Sequence, residues 1–159
     1  MYAIHSASVL YKDKAWLFSG HSGAGKSTHT NMWKELFNTP VINGDLNLID
    51  VNTTDGIPVV IGIPWCGTSG IYTSRSYPLG GIIFIKKDSI DHVRRIDGDD
   101  AVLSIAQRMI SPCWNTGLLE NNLAASEKIA AGIAVFRLCC TKNPSSAFLM
   151  KEEIDNEYH

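Results

Sequence analysis

The eight residues Gly20-His21-Ser22-Gly23-Ala24-Gly25-Lys26-Ser27 constrain this chain more than any other stretch. They match the pattern G-x-x-x-x-G-K-[ST] at every fixed position, and each position has a chemical reason. Glycines let the backbone curl until successive N–H groups, here those of Gly23 to Ser27, point into one concavity that holds an anion. Lys26 brings a mobile positive charge to the outer phosphates, and the Ser27 hydroxyl is a ligand for Mg²⁺. The helix expected from Lys26 adds its positive end, with Thr28 in its first turn. At ordinary glycine usage a chance match in a chain of this size is on the order of one in a hundred. An apolar strand before the loop and an amphipathic helix after it supply the context the pattern requires. Nucleotide binding is the expectation.

The rest of the chain alternates loosely between strands and helices, which predicts an α/β domain with a mixed sheet. Ala3–Leu10 and Ala15–Ser19 flank "YKDK" and read as an antiparallel hairpin feeding the loop. "KSTHTNMWKELF" places Met32, Trp33, Leu36 and Phe37 on one helical face, and Pro40 stops it. "VING" and "LNLIDV" read as a strand interrupted or ended at Asp45, and "PVVIGIP" as another. Trp65 to Gly81 is rich in Gly, Ser and Thr and is expected to be a loop. "GIIFIKK" is a buried strand that "DHVRRID" continues or pairs. "DGDDAVLSIAQRMI" opens a helix capped by Asp97 or Asp99, and a second helix runs from Leu118 to about Ile133. "AVFRLCC" is a strand, and "PSSAFLMKEEIDNEY" a closing helix capped by Ser145 or Ser146.

Size and charge exclude several classes. With 159 residues and no linker or repeat, residues 1–159 are expected to form a single domain. A formal net charge of −2, with no basic run beyond Lys86-Lys87 and Arg94-Arg95, leaves no footprint for nucleic acid or an anionic membrane. No apolar stretch approaches a membrane span and no basic leader precedes one, so the cytoplasm is the expected compartment. Cys66, Cys113, Cys139 and Cys140 form no C-x-x-C pair and have no neighbouring His cluster. They read as free thiols in a reducing environment.

The hairpin narrows the type of phosphate-loop protein. "IHSASVLYKDKAWLFSGHSGAGKST", a His followed by small residues, a hairpin and then the loop, resembles the HPr kinase/phosphorylase catalytic domain. It is similar also to the related ATP-type phosphoenolpyruvate carboxykinases. The resemblance implies a phosphate-loop nucleotide domain with a mixed sheet, and it implies that His5 lies near the phosphates. The reading from residues alone leaves His5 equally open to a place on the sheet. The family carries two adjacent aspartates after the first helix. In "VINGDLNLI" Asp45 fits the second and Gly44 stands in place of the first. By that resemblance Asp45 holds Mg²⁺ or accepts the proton of an attacking hydroxyl. Asp50 and Asp55 read either as its helpers or as surface carboxylates.

Short HPr-kinase-like proteins share a turn and strand that Gly62-Ile63-Pro64-Trp65-Cys66-Gly67 and Pro78-Leu79-Gly80-Gly81-Ile82-Ile83-Phe84-Ile85 resemble. Arg75, between them, neutralises charge on a transferring phosphoryl group or is a solvated loop residue. Trp65 stacks on a base or is buried, with burial the stronger expectation. No counterpart is seen to the separate N-terminal domain of those kinases or to their Gly- and Glu-rich signature segment, so HPr itself is not the expected acceptor. The resemblance thus implies a Mg²⁺-dependent phosphotransferase that uses ATP or another phosphate donor. Its acceptor hydroxyl, on a protein, a peptide or a small molecule, stays open, as does the oligomeric state. The alternatives are a nucleotide-binding regulatory protein and a simple ATPase.

Overall fold

The computed structural model describes residues 1–65, 67–111 and 114–158. Cys66 and Cys113 therefore lie outside the described residues. The chain opens with β1 (Tyr2–Tyr11) and β2 (Lys14–Ser19), a hairpin turning on Lys12 and Asp13. Both turn residues have left-handed φ, 51° and 59°, the geometry of a two-residue turn whose twist matches the strands. Helix α1 (Lys26–Phe37) follows, then β3 (Val41–Asn43), β4 (Leu46–Asp50), β5 (Val59–Ile61) and β6 (Tyr77–Lys87). The second half comprises β7 (His92–Arg95), α2 (Gly98–Ala106), α3 (Thr116–Gly132), β8 (Ala134–Cys140) and α4 (Pro144–Glu157).

The sheet is mixed, as expected. From Gly81 onward β6 lies between β2 and β8 and runs parallel to both, and β7 pairs β8 antiparallel. The first half of β1 pairs β4, β4 pairs β5, and β5 pairs the start of β6. With the β1–β2 and β2–β6 pairings these strands close a ring, which removes the edges a hairpin alone would expose. Strand alternation sorts the core into two sets. Trp16, Phe18, Ile83, Ile85, Phe136 and Leu138 meet Trp33 of α1 and Ala147, Met150 and Ile154 of α4. Ala15, Leu17, Ile82, Phe84 and Val135 turn the other way, toward Ile105 of α2 and Ile129 of α3.

Several expectations are corrected. The segment "DHVRRID" does not pair with "GIIFIKK"; β8 lies between them. The loop after Trp65 ends earlier, because β6 begins at Tyr77, where it has β5 as a partner. On α1 the buried residues are His29, Thr30 and Trp33, while Leu36 is 40% exposed, so the helix is rotated from the apolar stripe. Trp33 sets that rotation by packing among Tyr11, Phe18 and Phe37. Helix α2 ends at Ala106, and the open flank of β1 explains where the chain goes next. The His5 N–H donates to Arg108 O (3.1 Å) and the Ile110 N–H to Ala3 O (2.9 Å), so residues 108–110 run beside β1. Asn143, followed by Pro144, opens α4, and the Ser146 hydroxyl donates to the Asn143 carbonyl rather than capping. Asn115 caps α3, its side chain accepting the Leu118 N–H. No helix of the described residues is long and apolar enough to cross a membrane.

Candidate functional site

The loop from Gly20 leaves β2 at the carboxyl ends of the parallel strands β2, β6 and β8, where open α/β sheets present their binding crevice. Gly20 is required there, since a Cβ would stand 2.8 Å from Ile85 O and 3.0 Å from Ala24 Cβ. Gly23 and Gly25 hold left-handed φ of 76° and 106°, and the Ala24 N–H donates to His21 O (3.0 Å), folding the loop onto itself. Helix α1 begins directly at Lys26. His21, Ser22, Gly23 and Ser27 are exposed, Thr28 half-buried. The Lys26 ammonium is folded back over the loop, 3.3 Å from both Gly20 O and His21 O. Its pKa lies below the ordinary lysine value, chiefly because of burial and then because of the Arg108 guanidinium; the Asp45 carboxylate offsets part of this.

Asp45 sits at the break between β3 and β4, and Asn43 builds that break. Asn43 Oδ1 accepts the N–H groups of Asp45 (2.9 Å) and Leu46 (3.1 Å), and its Nδ2 donates to Trp65 O (2.6 Å). On the neighbouring β1, His5 Nε2 lies 3.3 Å from Asp45 Oδ1. His5 is held in turn by the Ser19 hydroxyl on its carbonyl (2.8 Å) and by Arg108 O on its N–H. Beneath them a buried network links Ser8 Oγ to Asn47 Oδ1 (2.7 Å) and Asn47 Nδ2 to Ser6 O and Oγ (both 2.9 Å). Every polar group in that network has a partner, which is the condition for burying it cheaply.

The space beside Gly44 belongs to Ser69, whose Cβ would lie 2.6 Å from a Cβ at position 44. Gly67, at a left-handed φ of 53°, abuts the Asp45 carboxyl group so closely that any Cβ there would overlap it. A second acid at position 44 thus requires the 67–70 segment to move.

Beyond the loop a cavity of about 760 Å³ opens. Gly20 to Ala24 form one wall, and Lys86, Lys87, Arg94, Arg108 and Arg137 supply five cations; no carboxylate lines it among the described residues. The strand register explains the grouping. Phe84, Arg137 and Arg94 form one cross-strand row, and Lys86, Cys139 and His92 form the row two residues on, so both rows point to one face. Helix α2 closes that face, with Ser104 accepting from Arg137 Nη2 (3.2 Å). Arg108 reaches the loop itself, its Nη2 standing 3.2 Å from both ring nitrogens of His21.

Sequence reasoning passed over Arg94, Arg108 and Arg137. A charge inside the apolar run "AVFRLCC" was a usable signal for Arg137, whereas nothing local marks Arg108. The structure brings His5, Lys26, Asp45 and the loop together. Arg75 is exposed, and among the described residues its guanidinium makes no hydrogen bond or ion pair; its backbone packs on Gly62. Trp65 is 61% exposed, so the expectation of burial does not hold. Asp50 and Asp55 accept backbone N–H groups of Asn52 and Ile57 and serve as turn caps.

Comparison with solved structures finds the Hpr(Ser) kinase/phosphatase from Coxiella burnetii, at a TM-score of 0.52 and 9% identity. The match covers 98% of this chain and 90% of that one. The likeness is one of fold. It extends over nearly the whole chain and says that this mixed α/β architecture is shared with a kinase/phosphatase. No protein-family model matches the chain, and no curated protein matches it in sequence.

Proposed function

We propose that the chain is a nucleotide-dependent phosphotransferase of the HPr-kinase type, acting on a hydroxyl. One observation carries the reading: Gly20 to Ala24 of the loop line a cavity with five cations, while Lys26, next along the loop, lies within electrostatic reach of Asp45, which His5 braces. Such a cavity favours a polyphosphate, and ATP is the donor we assign. The backbone amides of residues 23–27 and the Lys26 ammonium hold the outer phosphates. The Ser27 hydroxyl and the Asp45 carboxylate are oxygen donors, the kind Mg²⁺ takes, and would hold that ion, which neutralises charge on the phosphate oxygens.

In the transfer, the acceptor's O–H bond breaks as its oxygen bonds the γ-phosphorus, and the bond from that phosphorus to the bridging oxygen breaks. Asp45 accepts the proton, and His5 fixes the carboxylate in place. Arg108 and Lys26 stabilise the charge that gathers on the leaving and transferring groups. Positioning and charge supply most of the rate.

The test is incubation with γ-labelled ATP and Mg²⁺ together with hydroxyl acceptors of protein, peptide and small-molecule type. Label should pass to an acceptor. Lys26→Ala should weaken nucleotide binding, and Asp45→Asn should cut turnover about 10²–10⁴-fold. Tight binding of ATP without turnover on any acceptor would overturn the kinase reading. One observation favours what would then remain, a nucleotide-binding regulatory protein: Gly44 lacks an acid, and Ser69 occupies the space one would need.

A further inference from the structure

Two residues of the cavity lining, His92 and Cys139, form a cluster with Asp88 in which each presents one ligand atom, and these atoms lie within 4.8 Å of one another. We propose that these three residues bind Zn²⁺ or a divalent transition ion of similar softness. A thiolate, an imidazole and a carboxylate are the donors Zn²⁺ accepts, and they differ from the all-oxygen set suited to Mg²⁺.

The atoms around each ligand are arranged as a metal site requires. His92 Nδ1 lies 3.2 Å from the Ile90 carbonyl, to which it donates, leaving the Nε2 lone pair to ligate. Metal-bound histidines almost always have such a partner on the other nitrogen. Asp88 Oδ1 accepts the N–H of Ser89 (2.7 Å), and its Oδ2 remains for an ion. The Asp88 N–H donates to Cys140 O (2.9 Å), which pins that residue beside β8. Cys139 and His92 face each other as a register pair of β8 and β7, so the backbone of two hydrogen-bonded strands fixes their separation.

Ligands of a tetrahedral Zn²⁺ are about 3.3–3.6 Å apart, given bond lengths of about 2.0–2.3 Å. Closing the cluster asks for movements on the order of 1 Å. Asp88 and His92 are exposed and have that freedom, while Cys139 is buried and supplies the fixed point. Thiolate and carboxylate together balance the ion's two charges, so the lysines and arginines nearby do not face added net positive charge. His92 and Cys139 also line the cavity, so an ion held there would stand beside it. A site with three protein ligands and an open fourth position is the arrangement found where the metal takes water or an anionic oxygen.

The metal reading stands apart from phosphotransfer, and its test uses no nucleotide. The full chain, stripped with chelator, is titrated with Co²⁺ and then with Zn²⁺ against a chromophoric competitor. One equivalent should bind. The Co²⁺ form should show a thiolate-to-cobalt charge-transfer band together with the intense visible bands of tetrahedral geometry. Cys139→Ser should abolish the charge-transfer band. His92→Ala and Asp88→Asn, both at exposed positions where folding is not at risk, should each weaken Zn²⁺ binding at least tenfold. ATP binding should survive Asp88→Asn, a position outside the cavity lining. Absence of a charge-transfer band in the wild type, or unchanged Zn²⁺ affinity in His92→Ala and Asp88→Asn, overturns the proposal and leaves the phosphotransfer reading untouched.

Discussion

At the scale of single residues, the site depends on positions with no side chain to spare. Gly67 presses on the Asp45 carboxyl group, so Gly67→Ala must displace the candidate base while leaving the Gly20–Ser27 loop alone. Turnover should therefore fall at least tenfold with nucleotide affinity nearly unchanged, a split that stopped-flow binding beside steady-state kinetics would reveal. Equal losses in both would place Gly67 in general folding. Asn47 is 2% exposed and satisfies Ser6 and Ser8 from below. Asn47→Ala should cost about 1–3 kcal/mol in a urea titration, because it strands buried hydroxyl and carbonyl groups. Asp45 was singled out in the sequence only through the family resemblance, as the second of two expected aspartates beside Gly44. The Asn43 turn that aims it was not, because the turn depends on a side chain reaching Trp65 O, 22 positions away.

At the scale of elements, β6 carries both the fold and the cavity. Its Gly80-Gly81 pair makes room for the fully buried Trp16 ring. A Cβ at Gly81 would lie 2.6 Å from Ala134 O and 2.6 Å from a Trp16 ring carbon. Gly81→Ala should lower the thermal midpoint, through about 1–3 kcal/mol of overpacking, whereas Gly70→Ala, where the Cβ would meet open space, should lose less. A thermal-shift comparison of the two decides this, and the expected order would fail if β6 could shift to accommodate the methyl group. Gly70 has a left-handed φ of 68°, so its own small penalty is part of the comparison. The segment after α2 carries the other element-level prediction. Burial holds Lys26 below its ordinary pKa, and the half-buried Arg108 adds to that effect. Arg108→Ala should weaken ATP binding about tenfold or more, the cost of a charge-assisted hydrogen bond, and should let Lys26 keep its proton to higher pH. Isothermal titration across alkaline pH reads both effects. The strand and helix spans came close to expectation where periodicity was strong, as in "AVFRLCC" for β8. They missed where pairing decided, as at Tyr77 and beyond Ala106.

For the whole molecule, the packing of α1 on the sheet ties stability to pH through His29. This residue is 2% exposed, stacks on Phe18 with ring centroids 5.8 Å apart, and places Nε2 3.3 Å from Cys140 Sγ. Burial pulls its pKa down from 6.5 to about 4 and pushes the Cys140 thiol up to about 11. The native state therefore refuses a proton that the unfolded chain accepts. Stability is full above pH about 6.5 and is lost progressively as pH falls toward about 4, by roughly 3 kcal/mol in all. Urea midpoints measured across that window should fall in the wild type and flatten in His29→Gln; parallel slopes would remove His29 as the cause. What the sequence by itself determined is the glycine-rich turn from Gly20 to Ser27, the hairpin feeding it and the α/β class. These are local: a strand, a glycine turn and a helix follow one another within thirty residues, and backbone sterics and apolar period fix each in place. Only the tertiary structure decided the rest. Arg94, Arg108 and Arg137 become one cationic wall, and Asp88, His92 and Cys139 one donor cluster, through the register of β6, β8 and β7 and the docking of residues 108–110 on β1. Long-range strand pairing sets those neighbours, and no spacing along the chain encodes it.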